Sequence, residues 1–213
     1  MTTLTRGRIA VFFAGFIALW VMAWLVAQAA GWTGATAYWA AAKVAVWMVY
    51  PAAFWRAPLR EQLAFIGLRR RDLRRGLLWG AGAAAVWVGL AIAVAPLRGQ
   101  HLAPVPPAAD FLYAVLLTPV CEEWLYRGYL LPTITGTGVL FWRANLVTSV
   151  LFVAVHLVGW AFQGTLPANA LSVYPVSILV LSLVLGYLRH RTGSLLAPIL
   201  LHVGNNAVNL WWR

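Results

Sequence analysis

Residues 121–130 read Cys-Glu-Glu-Trp-Leu-Tyr-Arg-Gly-Tyr-Leu, and they place three charged side chains inside an otherwise apolar run of membrane-spanning length. An ionisable side chain at the centre of a bilayer costs about 3 kcal/mol even on lenient insertion scales, so such residues usually mark functional sites. Glu122, Glu123 and Arg127 therefore predict a functional site inside a membrane protein.

The composition of the whole chain supports a membrane protein. Of its 213 residues, 62% are apolar and 10% are charged, and the mean hydropathy is +0.78, which excludes an ordinary soluble domain. Seven apolar segments approach the roughly 20 residues that a helix needs to cross a bilayer: 9–30, 35–55, 76–97, 111–131, 144–162, 171–188 and 195–211. We predict an all-α, polytopic transmembrane helical bundle, with N-terminal helices in residues 1–109 and the catalytic motifs in residues 110–213 of one membrane domain.

The net charge of +11 lies mainly in the segments between these apolar runs. Positive charge in loops sets membrane topology. The basic residues form no amphipathic face, so the sequence does not predict nucleic-acid binding. Residues 56–75 hold seven arginines around a short apolar core, which predicts an interfacial segment on anionic lipid. If this segment is cytoplasmic, the protein is a multi-pass protein of the cell membrane with a cytoplasmic N-terminus. Lys43 lies near the middle of its span, and the sequence assigns it no role.

Helical geometry predicts different roles for the two glutamates, because adjacent residues point in different directions. Glu123 and Arg127 are four residues apart, in the favourable order for an intrahelical ion pair. Glu122 is then left unpaired, on a face with Tyr126 and Tyr129 that we expect to line a polar cavity. A desolvated carboxylate in such a cavity is suited to accept a proton from water as a general base.

Two later segments carry further polar groups at membrane depth. His156 ends the sequence Phe152-Val-Ala-Val-His, and a nearby carboxylate such as Glu122 would satisfy its ring. His202 and Asn206 are four residues apart and share one helix face, which is typical either of a site or of polar contacts between helices. The sequence thus supplies a carboxylate, two imidazoles and an amide on three helices.

Two kinds of chemistry fit this set of side chains. Water activated by Glu122 would hydrolyse a bond while imidazole and amide donors hold the oxyanion. Alternatively, Glu122, His156 and His202 would bind zinc or another divalent metal that activates the water. The sequence has no His-Glu-x-x-His pair to support a zinc site. A small proton-coupled transporter also uses intramembrane carboxylates and histidines, but the sequence shows no internal repeat to support it.

Three motifs in order carry a family resemblance: Glu122-Glu123-x-x-x-Arg127, Phe152-x-x-x-His156 and His202-x-x-x-Asn206. Over roughly residues 110–210 the chain resembles the CPBP family of intramembrane proteases, which includes the CAAX prenyl proteases. The first three spans resemble the family only in being apolar. In such a protease, the resemblance implies that Glu123 and Arg127 shape the site, with Tyr126 and Phe152 as supporting residues.

The resemblance implies an endopeptidase in which Glu122 and His156 activate the attacking water while His202 and Asn206 stabilise the oxyanion. The expected partners are the lipid bilayer and a peptide or lipidated-protein substrate. Members of the family are also linked to bacteriocin immunity, so a non-catalytic immunity or binding protein of the same fold is the alternative. The resemblance leaves open whether a metal takes part.

Overall fold

The computed structural model describes residues 5–55, 57–104 and 106–212. Within these residues the regular secondary structure is helical, apart from an isolated antiparallel bridge between Leu102 and Trp212. The predicted all-α class is therefore confirmed.

Nine helices form the described part of the chain. They are α1 Arg6–Ala30, α2 36–55, α3 Leu59–Phe65, α4 Arg70–Val94, α5 108–136, α6 Phe141–Phe162, α7 Leu166–Ala170, α8 Tyr174–Thr192 and α9 Leu196–Trp211. Seven of them coincide with the seven predicted membrane segments. The short helices α3 and α7 lie in connections between spans, and a 3₁₀ turn, Pro96–Arg98, follows α4.

Three helices contain unbroken α-helical stretches that are long and apolar enough to cross a membrane: Gly7–Ala30, Asp72–Val94 and Phe141–Phe162. Helices α2 and α5 also reach spanning length, but each contains π-helical turns. The turns of α5 include residues 124–130, directly after the two glutamates. Single π-helical turns occur frequently at functional sites. The predicted polytopic helical membrane bundle is consistent with all of these elements.

The basic segment between the second and third predicted spans is folded rather than an open loop. Helix α4 begins at Arg70, earlier than the predicted residue 76, so the later arginines lie on its first turns. Ile66, just after α3, is fully buried, and the Arg189 guanidinium donates a hydrogen bond to the Phe65 carbonyl oxygen over 2.8 Å. Arg56 lies outside the described residues.

An aromatic cluster packs α1 and α2 against the charged stretch of α5. Its buried rings are those of Phe12, Phe16, Trp20, Trp24, Trp39, Trp47, Tyr126, Tyr129 and Phe152. The expectation that Tyr126 and Tyr129 line a polar cavity with Glu122 is therefore wrong. Both rings pack against aromatic side chains of α1, α2 and α6, and neither lines the cavity found in the structure.

Small residues bring α4 and α9 into close contact. A Cβ atom added to Gly80 would lie 2.8 Å from the Cα atom of Ala197, and one added to Gly204 would lie 3.4 Å from the Cβ atom of Ala84. Small residues at helix interfaces let backbones approach closely in membranes. The position of α9, which carries two predicted catalytic residues, therefore depends on these contacts.

We expect Gly80→Ala to lower the free energy of unfolding by about 1–3 kcal/mol, because the new methyl group overpacks the contact with the α9 backbone. Gly82→Ala on the same helix is the control, since a Cβ atom there meets open space. Both changes bring the same gain in helix propensity, so the difference between them isolates the overpacking. Thermal unfolding in detergent measures it, and equal midpoints for the two variants would contradict the predicted contact.

Candidate active site

Glu122 is buried, 5% exposed, at the end of an α-helical part of α5, and it is ion-paired. The Nζ atom of Lys43 in α2 lies 2.6 Å from its Oε1 atom. The expectation that Glu122 is unpaired is therefore wrong. Lys43 lies 79 residues earlier in the chain, so helical spacing within α5 had no means of revealing it.

Glu123 and Arg127 form the intrahelical ion pair that their spacing predicts. The Arg127 Nη1 atom donates to Glu123 Oε1 over 2.8 Å, and both side chains are fully buried. Arg127 Nη2 also donates to the carbonyl and hydroxyl oxygens of Ser182 in α8, over 2.8 and 2.6 Å. The pair thus joins two helices, and no motif in the sequence indicates Ser182 as its third member.

His202 bridges the two glutamates. Its Nδ1 atom lies 2.8 Å from Glu123 Oε1, and its Nε2 atom lies 3.7 Å from Glu122 Oε2. An ionised carboxylate only accepts hydrogen bonds, so the Nδ1 atom carries the proton in this contact. Nε2 is therefore the atom that faces Glu122, and Glu123 acts on His202 as well as on Arg127.

His156 is oriented by its own helix. Its Nδ1 atom lies 2.7 Å from the Phe152 carbonyl oxygen, and because a carbonyl only accepts, Nδ1 donates and Nε2 stays available. The Phe152 ring stands edge-on to both imidazoles, with centroids 4.9 Å from His156 and 5.9 Å from His202. The structure therefore places both histidines beside the Phe152 ring, and His202 also lies 3.7 Å from Glu122.

Asn206 lies one helical turn beyond His202. The Asn206 Nδ2 atom donates to the Ala114 carbonyl oxygen over 2.9 Å. The Asn206 Oδ1 atom accepts a hydrogen bond from Asn205 Nδ2 over 3.2 Å. Asn205 in turn accepts a hydrogen bond from the Trp87 indole over 3.1 Å. A primary amide has two N–H groups, so Asn206 keeps one for another acceptor.

A cavity of about 270 Å³ lies beside these residues. It is lined by Phe152, His156, Trp160, Asn169, Tyr174, Ile178, Leu181, His202, Asn205, Asn206 and Asn209. Three of the four predicted catalytic residues line it directly. The fourth, Glu122, lies behind the His202 wall, with the 3.7 Å Oε2–Nε2 separation as its link to the cavity. Two other lining residues lie outside the three motifs: Asn169 in α7 and Tyr174 at the start of α8.

The proposed metal ligands do not form a metal site in this arrangement. Among the described residues, no group of three or more His, Cys, Asp or Glu side chains is placed to hold a metal ion. The Lys43 ammonium holds Glu122 Oε1, and protein oxygens hold the Nδ1 atoms of both histidines. These contacts leave Glu122 Oε2 and the two Nε2 atoms free.

The fold and the site define an integral membrane protein in which two imidazoles and an amide line a cavity and a carboxylate lies behind one of the imidazoles. Residues 103–208 match the family described as Rce1-like, type II CAAX prenyl endopeptidase. The comparison confirms the family resemblance that the three motifs predict, and every predicted site residue lies within the matched region, which spans about half of the chain.

The chain is also similar to an uncharacterized 24.3 kDa protein of Escherichia coli, with 30% identity over 152 residues. The match covers 63% of this chain and 63% of that protein, so the chain spans under two thirds of its relative's length. No solved structure matches the chain.

Proposed function

We propose that this protein is an intramembrane endopeptidase that hydrolyses a peptide bond with a water molecule activated by Glu122. The observation that carries the proposal is the position of the Glu122 carboxylate, 3.7 Å from a histidine that lines the cavity. The polar side chains of His156, His202 and Asn206 line the cavity, and all three lie in the region that matches the endopeptidase family. A buried carboxylate next to a polar cavity is the arrangement that general-base hydrolysis requires.

In the proposed reaction, water is held between Glu122 Oε2 and the Nε2 atom of His156. Glu122 takes a proton from this water while the water oxygen attacks the carbonyl carbon of the scissile bond. The free N–H of Asn206 and a protonated Nε2 of His202 stabilise the negative oxygen that forms. When the carbon–nitrogen bond breaks, Glu122 returns the proton to the leaving amine.

His202 donates from Nε2 only when both of its ring nitrogens carry protons. The contact between Nδ1 and Glu123 Oε1 fixes the orientation of the ring, so that Nε2 faces Glu122. Under the proposal, Glu123 orients His202, while Glu122 accepts and returns the proton of the attacking water. The two adjacent glutamates would thus do different work.

The proposed substrate is a peptide or a lipidated protein that enters the cavity from the bilayer. The proposed location is the cell membrane, with the N-terminus in the cytoplasm, as the arginine-rich segment after α2 predicts. The polar lining of amides and imidazoles suits a peptide backbone, whose carbonyl and N–H groups need hydrogen-bond partners inside a membrane.

The test is cleavage of membrane peptides by the purified protein in lipid nanodiscs, with prenylated peptides ending in a CAAX sequence in the panel. Reactions in ¹⁸O-labelled water, followed by mass spectrometry, should place one labelled oxygen in the new carboxyl group. A Glu122→Gln protein is the inactive reference. Peptide binding with no cleavage by the unmodified protein would overturn the proposal and favour a non-catalytic binding protein.

We expect Asn206→Ala to lower kcat by about 100-fold with little change in KM, because one donor to the developing oxyanion is lost. Asn209→Ala is the matched control: it removes another cavity-lining amide from the same helix, and that amide has no part in the proposed reaction. Initial-rate kinetics with a single peptide measure both variants. Equal losses of kcat in the two variants would contradict the assignment of Asn206.

A further inference from the structure

Lys43 is a buried charge to which the proposed reaction assigns no role. It lies in the middle of α2, 6% exposed, directly before the π-helical turn of that helix. Its ammonium lies 4.3 Å from the centroid of the Trp47 ring and 5.4 Å from that of Trp20, at distances typical of cation–π contacts. The aromatic cage and the ion pair together hold this cation against Glu122.

The ion pair distinguishes the two oxygens of Glu122. Oε1 lies 2.6 Å from the Lys43 ammonium, whereas Oε2 lies 3.7 Å from the Nε2 atom of His202. The terminal torsion of a glutamate side chain has a broad, roughly two-fold preference, so the side chain alone does not hold the carboxylate in one orientation. The Lys43 contact supplies the missing constraint and turns Oε2 towards the cavity wall.

Several charged or titratable groups interact electrostatically with Glu122. They are Lys43 from α2, His156 from α6, His202 from α9, and Tyr113, Cys121, Tyr126 and Arg127 from α5 itself. Of these, Lys43 and Arg127 are cations whatever the state of the imidazoles, and Arg127 is already bound to Glu123. Lys43 is thus the cation available to keep Glu122 ionised in an apolar interior, where an unpaired carboxylate is strongly disfavoured.

We propose that Lys43 is a positioning residue for peptide hydrolysis: it anchors Glu122 Oε1 and thereby presents an ionised Oε2 to the attacking water. The inference rests on the proposed role of Glu122 as the base. Lys43 does not line the cavity, so it acts on the substrate only through Glu122.

The loss of the ammonium should affect turnover more than substrate binding. We expect Lys43→Met to lower kcat by about 10- to 100-fold, the usual loss when a residue that orients an active-site group is removed. KM should stay within about twofold, since the cavity lining is unchanged. Lys43→Arg keeps the charge and should recover most of the lost kcat.

Infrared spectroscopy separates this role from a merely structural one. The Lys43→Met protein should show the carbonyl band of a protonated carboxylic acid at neutral pH, and the band should vanish in Lys43→Met/Glu122→Gln. The unmodified protein should lack it. Arg189→Met is the matched control, because it removes a partly buried cation that binds the Phe65 carbonyl oxygen and does not line the cavity. That variant should lose stability without losing kcat.

The outcomes separate the two proposals. If Glu122→Gln still cleaves, the proposed function fails, whereas the infrared band continues to test the Lys43–Glu122 pair. If Glu122→Gln is inactive but Lys43→Met turns over as fast as the unmodified protein, or faster, the positioning role is overturned. Should Lys43→Met fail to fold, Lys43→Gln replaces it, since it keeps a hydrogen-bond donor without the charge. Unchanged kcat in Lys43→Gln would equally overturn the proposal.

Discussion

Replacement of Glu122 by glutamine is expected to lower kcat for peptide hydrolysis by about 10⁴-fold, the upper range for loss of a general base. Glutamine has nearly the same shape as glutamate, and its amide oxygen still accepts a hydrogen bond from Lys43. It cannot take a proton from water at neutral pH, so the chemical step fails while the cavity stays intact. KM is therefore expected to change by no more than about twofold.

The control for this prediction is Glu61→Gln, the same chemical change at an exposed glutamate in the first turn of α3. Single-turnover kinetics with one peptide, in protein whose folding is checked by thermal unfolding, give the comparison. A folded Glu122→Gln protein that cleaves at the control rate would exclude Glu122 as the base. An inactive but folded variant should also retain bound substrates, so proteins captured with it from native membranes should be enriched over those bound to the unmodified chain.

The second large effect is expected in stability. Arg127→Leu should lower the free energy of unfolding by about 3–5 kcal/mol, because it leaves Glu123 as a buried carboxylate without its main cation. The change also removes the donors to the Ser182 carbonyl and hydroxyl oxygens that join α5 to α8. Thermal or denaturant unfolding in detergent measures the loss.

Arg143→Leu is the control, since it removes an exposed arginine from the start of α6 and should change stability by no more than about 0.5 kcal/mol. The double variant Arg127→Leu/Glu123→Gln should recover part of the loss, because the buried negative charge is then gone. No recovery in the double variant would mean that the contacts with Ser182, rather than the ion pair, carry the stabilisation.

The parts of the fold that depend on local properties of the chain were predictable. A helix that crosses a bilayer needs about 20 apolar residues, so the sequence reveals its spans directly. The pairing of Glu123 with Arg127 follows from a spacing of four on one helix, and the structure confirms it. The order of the three motifs likewise indicated the protein family that the comparison with known families supports.

The faces of α5 were less predictable, because α-helical spacing assumes an α-helix throughout. The π-helical turn Trp124–Leu130 begins directly after Glu123 and contains Tyr126 and Tyr129, which pack in the aromatic cluster. No residue in this turn marks the change of helix type by itself. In the folded chain, the π-helical turn lies among the rings of the aromatic cluster and contains the buried Arg127.

By itself, the sequence determined that residues 121–130 put charge inside a helical membrane protein and that Glu123 pairs with Arg127 on its own helix. Only the tertiary structure decided which side chains of other helices the two glutamates bind. Lys43 and His202 each lie 79 residues from the glutamate that they bind, one before Glu122 and one after Glu123. Such contacts depend on how whole helices rotate and pack against one another, and the spacing along a single helix holds no information about that packing.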